Sequence, residues 1–196
     1  MISCAKISKS LALAACVNST AGIEPMIILI NFDDWKNAET KEIDGNVLSG
    51  LTLKTGAYGY RYESNKNSFE KDCTLAKGTY QNSFDHKVVC RVFSRTQEIK
   101  DELIKLSRTK VVAIVKNLDV NNVETKYELL GADNGLEMSE LTSPSTDADG
   151  VLYSFTLASG DNAKETSLPL TVNAGEEDTT DALVDALVQK AQEEIE

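Results

Sequence analysis

The chain is short of the residues on which most catalytic and metal sites are built. His86 is the single histidine among 196 residues, and the four cysteines, Cys4, Cys16, Cys73 and Cys90, stand far apart with no Cys-x-x-Cys pair. A tetrahedral zinc centre needs such ligands at recognisable spacings, so no metal site is expected. A hydrolytic triad or cysteine protease needs a histidine within reach of a nucleophile, and no motif surrounds His86 or a partner for it. The Walker loop, the dinucleotide GxGxxG and HExxH are missing as well, and the Gly56-x-x-Gly59 pair is no substitute for a phosphate loop. Asp147-Ala148-Asp149-Gly150 has the centre of a calcium loop, but Ser145 and Thr156 fall where its terminal charged ligands belong, so it reads as a turn before a strand. The sequence therefore predicts no catalytic residue, no cofactor and no enzyme.

Long apolar runs are also lacking. No stretch approaches the roughly 20 apolar residues of a membrane helix. The opening MISCAKISKSLALAAC places Lys6 and Lys9 ahead of Leu11 to Ala15, and Leu13-Ala14-Ala15-Cys16 has the form of a lipoprotein cleavage box. Its apolar core is shorter than an export signal requires, so no membrane partner is expected. The cysteines read as reduced, structural thiols. Basic charge is scarce: 20 Lys and Arg face 31 Asp and Glu, a net −11 that argues against wrapping a nucleic acid. From Asn173 to Glu196 there are eight acids and one base, so the excess is concentrated at the C-terminal end.

What the chain has in quantity is short strands. Met26 to Ile30 is an unbroken apolar run of strand length, and Lys110 to Lys116 (KVVAIVK) reads as a strand buried on both faces. Lys41 to Leu53 gives two strands about Asp44-Gly45, and the alternation of Tyr58, Tyr60 and Tyr62 puts three phenols on one strand face. Phe84 to Phe93 alternates with His86, Val88, Cys90 and Val92 on one face, where His86 is expected to be a partly exposed strand residue. Asp133-Asn134-Gly135 between two apolar segments predicts a hairpin, and Val151 to Leu157 and Ser167 to Val172 complete the set.

Two helices interrupt this pattern. Ser94 and Gln97 have capping-box spacing ahead of Ile99, Leu103 and Leu106, a narrow apolar stripe suited to the edge of a sandwich. After Gly175, a helix of about Thr179 to Ile195 carries Leu183, Val184, Leu187, Val188, Ala191 and Ile195 on one face. The expected fold is mainly β (α+β): an antiparallel two-sheet sandwich or barrel with one flanking helix and a C-terminal amphipathic helix. Residues 1–172 read as the sandwich domain, and 173–196 as an acidic tether and helix whose stripe docks on another subunit or a different protein, with packing against its own sandwich as the alternative.

The segments KSLALAAC (9–16), IILINFDDW (27–35), SRTQEIKDELIKLSRTKVVAIVKN (94–117), KYELLGADNGLEMSE (126–140) and DADGVLYSFTLASGD (147–161) follow one another in an order and content that resemble the tail-tube-type and ring virion proteins of bacteriophages infecting gut Bacteroidales, the crAss-like group included. The resemblance implies a two-sheet sandwich whose copies join side by side into a ring, a hexamer or dodecamer, in a phage tail or neck. It implies neighbouring tail, neck or portal proteins as partners, DNA only as transient cargo in the lumen, and a virion location after assembly in the host cytoplasm. The acidic C-terminal helix is its departure from a plain tube subunit. With that resemblance, Gly56 to Tyr80 is expected to form a long hairpin or loop that reaches a neighbouring ring through Tyr58, Tyr60 and Tyr62, unless those tyrosines belong to the chain's own core. A surface-anchored β-sandwich binding protein, held by lipid on Cys16, is the competing class.

Overall fold

The computed structural model describes residues 22–64, 68–79, 81–118, 123–146 and 150–188. Cys4, Cys16, the Leu13 to Cys16 box, the Asp147 to Asp149 turn, Ala191 and Ile195 lie outside them. Eleven strands and three helices follow in order. Strand β1 (Ile23–Asn31) runs into the five-residue helix α1 (Phe32–Lys36), then β2 (Thr40–Asp44), β3 (Val47–Thr52), β4 (Gly59–Glu63), β5 (Phe69–Ala76) and β6 (Ser83–Val92). Helix α2 (Gln97–Leu106) precedes β7 (Val111–Asn117), β8 (Tyr127–Leu130), β9 (Leu136–Thr142), β10 (Tyr153–Ser159) and β11 (Leu170–Val172), and α3 (Glu177–Leu187) closes the described chain.

All eleven strands belong to one hydrogen-bonded sheet that folds over on itself. Seven of them lie in the order β4-β1-β7-β8-β11-β3-β2, and four in the order β9-β10-β6-β5. The two parts meet at a single rung, Val111 opposite Leu136. The result is mainly β and sandwich-like, with open edges at β2, β4 and β5, so it is not closed into a barrel. It is also mixed, because β11 and β3 run parallel while the other pairs are antiparallel.

Strands β1 and β7 sit at the centre because both faces of each are apolar. Ile27, Leu29, Val111, Ala113 and Val115 face the four-stranded part, where Phe69, Val88, Cys90, Phe155 and Leu157 meet them and α2 contributes Leu103 and Leu106. Their alternate neighbours Ile28, Ile30, Val112 and Ile114 face the other way, into a second core with Trp35 of α1, Leu48 and Leu51 of β3, and Val184 and Leu187 of α3. A strand with side chains in two cores reads as a continuous hydrophobic run, which is what IILI and VVAIV are. Burying one such aliphatic side chain contributes about 1.5–3 kcal/mol, so these two strands anchor both layers.

The turn chemistry is partly as expected. Asp44 pairs with Val47 across Gly45 and Asn46, and Gly45 takes the positive φ of +59° that this tight hairpin requires. The Asp133-Asn134-Gly135 segment does not make the predicted hairpin. Strand β8 pairs with β7 and β11, and β9 with β10, so the loop instead carries the chain around the corner between the two parts of the sheet. Helix α2 is capped two residues later than predicted, at Thr96 instead of Ser94: Thr96 Oγ1 accepts the Ile99 N–H at 3.3 Å. After Asn31, Phe32 to Lys36 form α1 and bury Trp35, whose indole N–H donates to the Ala132 carbonyl at 2.8 Å.

Candidate interface between the β4 edge and helix α2

Strand β4 is an edge: β1 is the one strand it pairs with among the described residues, and Gly59 adds an isolated bridge to Val188. The register sets Tyr60 opposite Leu29 and Tyr62 opposite Ile27, so both rings share the face that looks into the first core. Helix α2 lies across from them at the open end of the sandwich, and a groove remains between. Tyr62 donates its hydroxyl to Glu102 at 3.4 Å and divides this groove. One part, about 440 Å³, is floored by Phe69, Leu103 and Phe155 and walled by Ile99 and Val92, with Glu98 at its rim. The other, about 350 Å³, reaches down to Leu29, Leu106 and Val111. Burial pushes the Tyr62 phenol well above its ordinary range, and the neighbouring Glu102 carboxylate adds to the shift.

The opposite face of β4 is closed by α3. Gly59 has no side chain where one would collide, since a Cβ there would lie 2.7 Å from Ile28 Cγ2 and 3.3 Å from the Leu187 carbonyl. The helix ends at that approach, and Val188 turns to an extended conformation and bridges to Gly59 in parallel. Arg61 holds Asp185 at 2.8 Å, while Lys126 binds Glu177 at 2.7 Å and Asp181 at 2.8 Å. Burial works against the Lys126 charge, but the hydrogen bonds to Asp181 and Glu177 outweigh it and raise its pKa. Burial likewise opposes the Asp181 carboxylate, whose pKa is nonetheless lowered by Lys126 and the Tyr127 hydroxyl.

This corrects the expectation that the C-terminal stripe is free to dock elsewhere. Val184 and Leu187 are 1% and 4% exposed inside the second core, with Leu183 and Val188 packed against it. The physical reason lies in β1, β7 and β11, whose outer apolar faces would otherwise meet water. Glu176 is the N-cap of α3, and its N–H donates to Thr179 Oγ1 at 3.1 Å in a capping box.

A second constellation joins the β8–β9 loop to residues 159–167. His86 is 1% exposed, a correction to the partly exposed residue expected. Its Nε2–H donates to the Ser167 carbonyl at 3.0 Å, and its Nδ1 accepts the Gly131 N–H at 3.2 Å. Glu165, also 1% exposed, accepts the Asp133 N–H at 2.7 Å and the Asn134 N–H at 3.1 Å. Desolvation lowers the His86 pKa and raises that of Glu165. Both imidazole nitrogens and both carboxylate oxygens are occupied by backbone groups, so these residues fasten two loops together.

No family model, curated protein or solved structure matches this chain. The reading of its surfaces rests on their geometry.

Of the three tyrosines singled out by the sequence, Tyr60 and Tyr62 come together on the groove wall and Tyr58 precedes the strand, 41% exposed. Tyr60 is 39% exposed, whereas Tyr62 packs on the first core. Strands β4 and β5 pair with different neighbours, not with each other as one long hairpin. The groove's other contributors, Ile99, Glu98 and Glu102, were visible only as parts of an amphipathic helix. Glu165 carried no signal, because its role depends on amides 31 and 32 residues away in sequence. Cys73 and Cys90 are free thiols, and burial raises the pKa of each.

Proposed function

We propose that the protein is a non-enzymatic structural subunit that joins identical copies into a ring, and that the ring belongs to a bacteriophage tail or neck of the tail-tube type. The observation that carries the assembly is the polarity of the two outer strands of the seven-stranded layer. Counting directions through β4, β1, β7, β8, β11, β3 and β2 leaves β2 and β4 running oppositely. Copies related by rotation about one axis therefore meet with β2 of one antiparallel to β4 of the next, and each rung satisfies backbone groups that an open edge leaves to solvent.

The side chains favour a register. Ile43 and Lys41 stand opposite Leu48 and Leu51 of the second core, and Arg61 and Gly59 opposite Ile28 and Ile30 of the same core, so both edges present that core's face together. Placing Lys41 against Glu63 sets opposite charges side by side and brings the 46% exposed Ile43 over the Arg61 stem. The acidic balance suits a channel through which DNA must pass without sticking, a wall poor in unpaired Lys and Arg. The phage assignment itself follows from the sequence resemblance.

Negative-stain imaging and native mass spectrometry of the full chain, alone and with neighbouring tail proteins, test this reading. Closed rings of one stoichiometry are expected. The Ile43→Lys and Glu63→Lys variants are expected to remain folded and fail to close, with Lys41→Glu restoring closure to Glu63→Lys. A monomer at high concentration, with or without partners, overturns the proposal.

A further inference from the structure

Among the described residues the two parts of the sheet share one rung, Val111 opposite Leu136, and the loop 131–135 leads directly into it. Gly131 lies so close to that rung that a Cβ there would come within 2.8 Å of Leu136 Cγ. The loop is held from outside by five hydrogen bonds. His86 Nδ1 accepts the Gly131 N–H at 3.2 Å, and Glu165 accepts the Asp133 and Asn134 N–H groups at 2.7 and 3.1 Å. The Asn134 amide donates to the Lys164 carbonyl at 2.8 Å, and the Asp133 carboxylate accepts the Thr166 N–H at 2.9 Å.

The histidine contact is the one that requires an uncharged side chain. Nδ1 has a lone pair for Gly131 as long as the ring is neutral, because the ring's one proton is on Nε2, donated to the Ser167 carbonyl at 3.0 Å. A second proton turns Nδ1 into a donor aimed at another donor, on a residue 1% exposed. The charged groups around the ring are already engaged. Asp85 is held by Lys164 at 2.8 Å, Glu128 by Lys71, and Asp133 by Thr166. Cys73, opposite His86 on β5, is a free thiol that burial keeps protonated, and Lys87 and Asp72 belong to the other face of the two strands.

We propose that His86 is a proton-operated latch: its neutral ring closes the loop 131–135 onto residues 159–167, and its protonation releases Gly131, so that this corner opens locally while both cores stay intact. The rung between Val111 and Leu136 is what release weakens, and with it the joint between the two parts of the sheet. In the open corner the ring is an ordinary imidazole, whereas burial favours the neutral form in the closed one, so release begins as pH falls below 6.5. Glu165 acts in the opposite sense: burial raises its pKa, so acid favours its closed form, and the drive to open comes from His86. The device lies within one copy and is independent of ring formation.

Hydrogen exchange of the full chain at pH 7.5 and 5.5, read by mass spectrometry and corrected for the chemical exchange rate, tests the latch. Peptides covering 129–135 and 163–168 are expected to lose protection several-fold at pH 5.5, with a ceiling of about tenfold for the one pH unit below 6.5, while β7 keeps its protection. His86→Gln, which retains an uncharged acceptor, is expected to give the same corner protection at both pH values. Should that variant not fold, the wild-type chain supplies the second reading, because its single histidine makes the imidazole nitrogen NMR signals unambiguous. They should report the Nε2–H tautomer at pH 7.5 and a charged ring that appears in step with exchange at the corner. Unchanged corner protection at pH 5.5, an equal loss in β7, the same loss in His86→Gln, or a charged ring without corner exchange each overturn the proposal.

Discussion

Tyr62 and Glu102 join an edge strand to the helix opposite through one hydrogen bond of 3.4 Å across an otherwise open groove. The contact ties β4 to α2, which are 40 residues apart in sequence and share no backbone bond. The hydroxyl lies against the first core, and burial followed by the Glu102 charge holds its proton in place. Tyr62→Phe is expected to cost about 0.5–1.5 kcal/mol, the net worth of such a bond, measured by urea denaturation. In alkaline spectrophotometric titration, its loss should remove a tyrosine that remains protonated above the range in which an ordinary phenol ionises.

Gly59 is the position where β4 and α3 approach most closely. A Cβ would sit 2.7 Å from Ile28 Cγ2, and the Leu187 carbonyl blocks retreat on the other side. Gly59→Val is therefore expected to destabilise by about 1–3 kcal/mol through overpacking. Hydrogen exchange in α3 should rise with it, because the end of that helix is what must move. Gly45→Ala faces open space but loses a left-handed turn residue, so it should strain only the β2–β3 hairpin and leave α3 exchange unchanged.

Helix α3 completes the second core. Leu187→Ala removes a side chain that is 4% exposed and should cost about 2–5 kcal/mol in the urea midpoint analysis. Deleting residues 176–196 should abolish cooperative folding, because the outer faces of β1, β7 and β11 lose their cover. A deleted chain that still unfolds cooperatively with native-like near-ultraviolet dichroism would show that the helix is dispensable to the body.

Most of the strands were legible because the signal is local. IILI and VVAIV announce a doubly buried strand, and the alternation from Phe84 to Phe93 put His86, Val88 and Cys90 on one face, which the fold buries although His86 was expected to be partly exposed. Pairing was not legible. Asp133-Asn134-Gly135 has hairpin composition, and what redirects it is distant: His86 takes the Gly131 N–H and Glu165 takes the Asp133 and Asn134 amides of the same loop. The stripe of α3 was legible as apolar, but its partner was not, since any sufficiently apolar face satisfies the same pattern. Of the candidate interface, the tyrosines of β4 were visible and the groove was not, because its second wall comes from α2 and its floor from β5 and β10.

The single histidine gives the chain a clean pH signature. His86 is buried between the Ser167 carbonyl, which accepts from Nε2, and the Gly131 amide, which donates to Nδ1, so its neutral tautomer is the one the fold holds. Burial is the main cause of its lowered pKa, opposed by the Ser167 carbonyl and by the nearby Asp133, Asp85 and Glu128 carboxylates. A base whose folded pKa lies below its unfolded value binds its proton more readily in the unfolded chain. Folding stability is then complete above the unfolded value of 6.5 and falls as pH drops below it, towards the folded value. One proton limits the slope to about 1.4 kcal/mol per pH unit. Glu165 works in the other direction, since its raised pKa means that stability falls as pH rises from the ordinary carboxylate value through the folded one. Urea midpoints measured from pH 7.5 downwards should decline once pH passes below 6.5, and His86→Gln, though less stable at pH 7.5, should show no such onset. A variant that keeps the same decline would assign it to other groups and remove His86 as its source.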